Sequence, residues 1–228
     1  MVLEGFRQPV YCICTGDEGF ITERDRIFGL LSSEWRPDFG ISRQRFEMLK
    51  KYKNESMREQ SLAAVLALSA ALLDFGITEA EQEYYRNKYG KPYITGHPEI
   101  EFSLSHSGIY AVAVAVKKAD VRENKGIGID TESVKRTDMK LAKRFFRSCE
   151  CRMIEESSNP QEAFMQVWTA YEACGKACGT GLDFKAEADL FEKMSENGSI
   201  FPRCIHRIIP PAEDFCVTVC DLTEDAGL

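Results

Sequence analysis

The chain has 228 residues, of which 44% are hydrophobic and 29% charged, enough apolar mass to bury a full core and too evenly patterned for a disordered chain. A formal net charge of −7 argues against general affinity for nucleic acid. The longest apolar run, Leu62 to Leu73, is too short to span a bilayer, and no basic segment followed by an apolar one opens the chain, so the sequence predicts a cytoplasmic protein without a membrane segment.

In chain order, Val10–Cys14 reads as a first strand. Thr22 to Ser33 predicts a helix capped by Thr22, with Ile27, Leu30 and Leu31 at helical spacing. Ser42 would cap a second helix running to Lys53, and Ser56 to Phe75 is the strongest helix, closed by Gly76. Tyr89-Gly-Lys-Pro92 reads as a loop. Phe102–Ser105 and Tyr110–Val116 are expected strands around a turn at Ser107-Gly108. Ile127–Asp130 predicts another strand, Asp138–Arg147 a helix, and Gln161–Cys178 a second long helix stopped by Gly179 and Gly181. Ile205–Ile209 and Phe215–Cys220 would be closing strands, and the last residues are expected to fray.

The same order of elements occurs twice. It implies an α+β fold of two similar halves, residues 1–122 and 123–228, divided near Arg122–Lys125, with the active site in the cleft between them. Nine cysteines lack any C-x₂-C pair, so they read as reduced thiols, mostly small buried hydrophobes, rather than a zinc site.

Chemistry concentrates in two stretches. Gly126-Ile-Gly-Ile-Asp-Thr-Glu132 is a β-branched run ending in two carboxylates at i, i+2. In an extended chain both face the same way, with Cα atoms roughly 7 Å apart. Trp168-Thr-Ala-Tyr-Glu-Ala-Cys-Gly-Lys176 is helical and sets Glu172 and Lys176 one turn apart. Either pair alone is ordinary decoration. Together, three carboxylates and a lysine suit a Mg²⁺ ion beside a phosphate anion. Ser103-Leu-Ser-His-Ser-Gly108 supplies hydroxyls and a histidine in what reads as a phosphate-binding turn. Adjacent strand residues point oppositely, which disfavours a Ser–His nucleophile there. Lys140, Lys143, Arg144 and Arg147 form a basic stripe on one helix of an acidic chain, suited to docking an acidic partner.

With these motifs in order, the chain resembles the 4′-phosphopantetheinyl transferases of the surfactin-synthetase-activating type. Tyr89-Gly-Lys-Pro92, Phe102 through Gly108, Gly126 through Glu132, Leu141-Ala-Lys-Arg-Phe-Phe146 and Trp168 through Leu182 carry the resemblance, which is dense over residues 89–184. It implies a pseudo-dimer of two α+β halves and transfer of the 4′-phosphopantetheine arm of coenzyme A to a serine of an acyl or peptidyl carrier protein. It implies that Asp130, Glu132 and Glu172 hold Mg²⁺, that Lys176 contacts the pyrophosphate, and that Ser105 and His106 hold the 3′-phosphate. Lys91 and Pro92 would line the adenine side. The family's arginine before a Ser/Thr-Leu pair is Gln60 here, so Arg58 or Arg45 would have to replace it. Tyr171 stands where the family commonly has lysine, which would remove a cation near the pyrophosphate. A monomer would suffice for such a site. The reading from another class is a coenzyme A-binding module without turnover.

Overall fold

The computed structural model describes residues 1–119, 126–134, 138–195 and 199–223. The expected boundary near residues 122–125 and the expected fraying end beyond residue 223 lie outside the described residues. The architecture is mixed α and β, and every strand ladder among the described residues is antiparallel.

The first sheet has the order β1 (Val2–Leu3), β2 (Val10–Cys14), β6 (Tyr110–Lys117), β5 (Ile100–Ser107). Between β2 and β5 the chain forms α1 (Glu18–Leu30), α2 (Arg43–Lys51), α3 (Glu55–Leu73) and a hairpin, β3 (Tyr84–Arg86) with β4 (Pro92–Ile94). Asn54 caps α3, accepting from the Met57 amide at 3.1 Å, and the helix buries Leu62, Val65, Leu68 and Leu72. It packs across β6, β2 and β5.

The second sheet has the order β7 (Ile127–Ser133), β9 (Phe215–Asp221), β8 (Ile205–Ile208). Between β7 and β8 lie α4 (Met139–Phe145), α5 (Ser148–Glu156), α6 (Pro160–Cys178) and α7 (Phe184–Met194). Asn159 caps α6, Pro160 takes the first turn, and Gly179 closes it at φ 67°. The buried residues Ala163, Phe164, Val167, Ala170, Tyr171, Cys174 and Ala177 recur at helical spacing and seat α6 on β7 and β9. The approach is close. A Cβ on Gly128 would lie 1.9 Å from the Ala173 carbonyl oxygen, so β7 carries glycine where the helix backbone crosses it.

Several boundaries differ from expectation. The first helix starts at Glu18 with Asp17 as its cap position; the Thr22 hydroxyl donates back to the Glu18 carbonyl at 2.9 Å from inside the helix. The strand expected over Phe102–Ser105 runs from Ile100 to Ser107, so Ser107 is strand and the turn falls on Gly108-Ile109, with Gly108 at φ 57°. The helix expected to reach Arg147 ends at Phe145, and Arg147 instead opens α5 with its guanidinium bound to Glu150 at 2.7 and 2.9 Å and to the Ile200 carbonyl. The basic stripe therefore loses Arg147. Lys140, Lys143 and Arg144 remain exposed, with Lys143 2.9 Å from Glu155.

Candidate active site

The two sheets meet along β5 and β7. They share no backbone ladder; three serines at period two do the joining. Ser103 Oγ accepts from the Ile129 amide at 3.0 Å, Ser105 Oγ donates to Asp130 Oδ1 at 2.8 Å, and Ser107 Oγ donates to Glu132 Oε2 at 2.9 Å. Rising numbers pair with rising numbers, so the strands run alongside in the same sense. Ser103 and Ser105 lie in the strand expected from the sequence, and Ser107, expected in the turn, extends the same face of β5.

Asp130 and Glu132 emerge on that seam. From the other side α6 brings Lys176, whose ammonium donates to Asp130 Oδ1 at 2.7 Å, Ser105 Oγ at 3.0 Å and the Ile129 carbonyl at 3.1 Å. Asp130 is 4% exposed, and its Oδ2 is buried without a hydrogen-bond partner. Glu172, one turn before Lys176, is half-buried. Desolvation raises its pKa, the Asp130 charge adds to the rise, Lys176 opposes it, and Glu132 adds a smaller upward push. The three carboxylates are thus close enough to feel one another. As they stand, no group of three His, Cys, Asp or Glu among the described residues is gathered tightly enough to clasp an ion. Lys176 covers one oxygen of Asp130. The donor set is all hard oxygen, and the orphaned Asp130 Oδ2 lacks the cation or donor that a buried carboxylate oxygen requires, so the residues fit a divalent cation in kind.

Beside this group opens a pocket of about 290 Å³. Its wall includes Arg45 from α2, Arg86 and Pro92 from the hairpin, Ser103 from β5, and Glu172 and Lys176 from α6. Arg45 is 6% exposed, stacks over Tyr84 at 4.7 Å and stands 3.8 Å from Glu79, while its Nε and Nη2 have no hydrogen-bond partner. A buried guanidinium with unpaired donors in a pocket wall suits an anion. Arg58, the other candidate, donates to the Tyr52 carbonyl at 2.5 Å and covers Phe28, and it is not part of this wall. Gln60 is occupied too, donating to the Gly108 carbonyl at 2.7 Å.

Other expected residues separate. Ser105 is buried against Asp130 and Lys176, whereas His106 on the opposite face of β5 is exposed. Protein density around the His106 ring and the Lys176 charge hold its pKa below the ordinary imidazole value. Lys91 lines the pocket, yet its ammonium turns inward to Glu101 at 2.9 Å. Tyr171 does not reach the site at all. One position before Glu172 on a helix is about 100° around it, and Tyr171 is fully buried, its hydroxyl donating to Glu150 Oε2 at 2.9 Å among Phe146, Phe184 and Phe191. The expectation that it replaces a pyrophosphate-binding cation is corrected by that orientation.

Residues 126–220, which carry β7, α6 and both acid motifs, match the profile of the 4′-phosphopantetheinyl transferase superfamily. Over this stretch, 95 of the 228 residues, the chain resembles that superfamily. The transferase is 26% identical over 87% of its length to a 4′-phosphopantetheinyl transferase of Bacillus subtilis, covering 85% of that protein. It is 26% identical to 4′-phosphopantetheinyl transferase Sfp of Bacillus subtilis strain 168, over 73% of this chain and 68% of that one. It is 34% identical to 4′-phosphopantetheinyl transferase psf-1 of Bacillus pumilus, over 56% of this chain and 50% of that one. Among the described residues of the transferase no helix is long and apolar enough to cross a membrane.

Proposed function

We propose that the enzyme transfers the 4′-phosphopantetheine group of coenzyme A to a serine of an apo acyl or peptidyl carrier protein, leaving adenosine 3′,5′-bisphosphate. The observation that carries this reading is the junction of an anion-receiving pocket with the Asp130–Lys176–Glu172 group. It is supported by Arg45 and Lys176, two cations on one pocket wall that also includes Glu172.

Asp130, Glu132 and Glu172 would hold Mg²⁺, which supplies charge neutralisation of the pyrophosphate. The protein's own residues do the rest. Lys176 stabilises negative charge developing on the leaving phosphate. Glu172 takes the proton of the carrier serine as it attacks the phosphate next to the pantetheine, and adenosine 3′,5′-bisphosphate departs. Arg45 anchors a phosphate of coenzyme A. Pro92 lines the adenine side. Exposed Lys140, Lys143 and Arg144 suit an acidic carrier surface. The two sheets, each covered by one long helix, support the pseudo-dimer reading with halves 1–122 and 123–228. We assign the enzyme to the cytoplasm as a monomer.

Calorimetric titration with coenzyme A tests the binding half. Saturable binding that weakens about tenfold or more in Arg45→Met is expected. No binding by the unaltered chain would reject the reading.

A further inference from the structure

The lysine of the Gly-Lys-Pro segment sits where a ligand-binding cation would be expected, but its head group faces the interior. The Lys91 side chain is 8% exposed and that of Glu101, on β5, is 4% exposed. The ammonium stands 2.9 Å from Glu101 Oε2 and donates to the carbonyls of Ile127 on β7 and Ala177 in the last turn of α6, each at 3.3 Å. Glu101 is held from its other oxygen by Lys118 at 3.0 Å. The space for this knot comes from Gly126. A Cβ there would meet Lys91 Nζ at 2.5 Å, the Ala177 carbonyl at 2.6 Å and Glu101 Oε2 at 2.9 Å. The same hairpin grips the helix end a second time, through Asn87 Nδ2, which donates to the Gly179 carbonyl at 2.7 Å.

The consequence is geometric. The ammonium joins β5, β7 and the last turn of α6, and Ala177 follows Lys176 directly. Lys176 must reach both Asp130 on β7 and Ser105 on β5. A cation buried with a paired carboxylate and two carbonyls fixes one arrangement of three elements, because any other leaves a buried charge unpaired. We propose that Lys91 is a positioning residue: with Glu101 it locks the end of α6 against both sheets and so sets where Lys176 and Glu172 stand. This rests on the transferase reading for its effect on turnover, but the lock itself does not.

The test compares the unaltered chain with Lys91→Met, Glu101→Gln and the double variant. Three readouts are taken: kcat for carrier modification, Kd for coenzyme A by calorimetry, and amide hydrogen exchange in residues 175–179 without coenzyme A. Lys91→Met should lower kcat about 100-fold, since small displacements of catalytic groups cost that much, while Kd for coenzyme A changes less than about threefold. Exchange in the last turn of α6 should speed up at least about tenfold. Glu101→Gln should act in the same direction, and the double variant should be no worse than Lys91→Met, because partners in one interaction are not additive. Weaker coenzyme A binding by about tenfold with unchanged kcat would make Lys91 a substrate ligand and overturn the proposal. Unchanged exchange in the variants would also overturn it. If Lys91→Met does not fold, Glu101→Gln decides alone. If the unaltered chain modifies no carrier, the transferase reading fails, and the exchange data still decide the lock.

Discussion

Lys176 Nζ and Asp130 Oδ1 stand 2.7 Å apart, joining the end of α6 to the middle of β7. Ser105 of β5 donates to the same Asp130 oxygen at 2.8 Å, so the pair sits where both sheets meet. The other Asp130 oxygen is buried and unpartnered. One carboxylate thus has an oxygen committed to the lysine and an oxygen held in reserve, which is the arrangement a site needs to neutralise a phosphate and bind a cation together.

Lys176→Met should lower kcat about 100-fold or more through loss of charge stabilisation at the leaving phosphate. Asp130 is 4% exposed and loses its cation in this variant, so the thermal midpoint should fall as well. Glu172→Gln should remove transfer while leaving the far-ultraviolet circular dichroism native. Steady-state kinetics with matched spectra check both, and retained turnover in either variant contradicts the assigned roles.

Tyr171→Lys tests the corrected orientation. The substitution places an ammonium in a ring-lined core beside Glu150, which Arg147 already neutralises. It should cost about 3 kcal/mol or more in urea unfolding. Tyr171→Phe removes only the hydroxyl and should cost about 0.5–1.5 kcal/mol, since Glu150 Oε2 keeps the Arg147 amide at 2.8 Å. A lysine variant as stable as the unaltered chain would mean that the tyrosine faces the cleft.

Gly128→Ala would set a Cβ 1.9 Å from the Ala173 carbonyl and 2.6 Å from the Ala177 amide nitrogen, both backbone atoms. Overpacking of this kind should cost about 3 kcal/mol. The control is Gly29→Ala in α1, where a Cβ meets nothing within 4 Å, and which should gain about 0.5–1 kcal/mol. Equal behaviour of the two in chemical denaturation would contradict the close crossing of α6 over β7.

Glu187, on α7, is 2% exposed with an unpartnered Oε2. Burial pushes its carboxyl from 4.5 up to about 7; the Asp183 backbone pulls it down and Cys174 pushes it up to a smaller extent. A raised acid keeps its proton in the folded chain over a range where the unfolded chain has lost it. Stability is therefore fully present below 4.5 and falls as pH rises toward about 7. Glu187→Gln should leave the thermal midpoint near pH 4 unchanged and raise it near pH 8. Equal shifts at both ends would contradict a buried, protonated Glu187.

Much of this arrangement was legible because its signals are local. Val10–Cys14 matches expectation residue for residue, and α6 starts within one residue of it and ends as predicted, since a cap, a proline and a left-handed glycine mark its limits. Two periods, two residues on a strand and four on a helix, set Asp130 with Glu132 and Glu172 with Lys176, while the contact between Asp130 and Lys176 is tertiary. What the sequence hid depends on tertiary partners. Nothing in a tyrosine before a glutamate says that the ring turns toward Glu150. Nothing in the run from Lys140 to Arg147 says that the helix stops at Phe145 and the last arginine folds inward. Arg45 was nominated only as a substitute for a missing arginine, and its claim comes from unpaired donors in a pocket wall. Two short helices, α5 and α7, and the β3–β4 hairpin went unread, although Asp183 caps α7 by accepting from Lys185 and Ala186 amides at 3.1 and 3.2 Å.

The most direct measurement is intact-mass spectrometry of an apo-acyl carrier protein incubated with this enzyme, coenzyme A and Mg²⁺, beside a control with EDTA. The account predicts a mass gain of one phosphopantetheinyl group on the carrier, absent in the control. No gain on any of several acyl and peptidyl carriers, despite measurable coenzyme A binding, would contradict it.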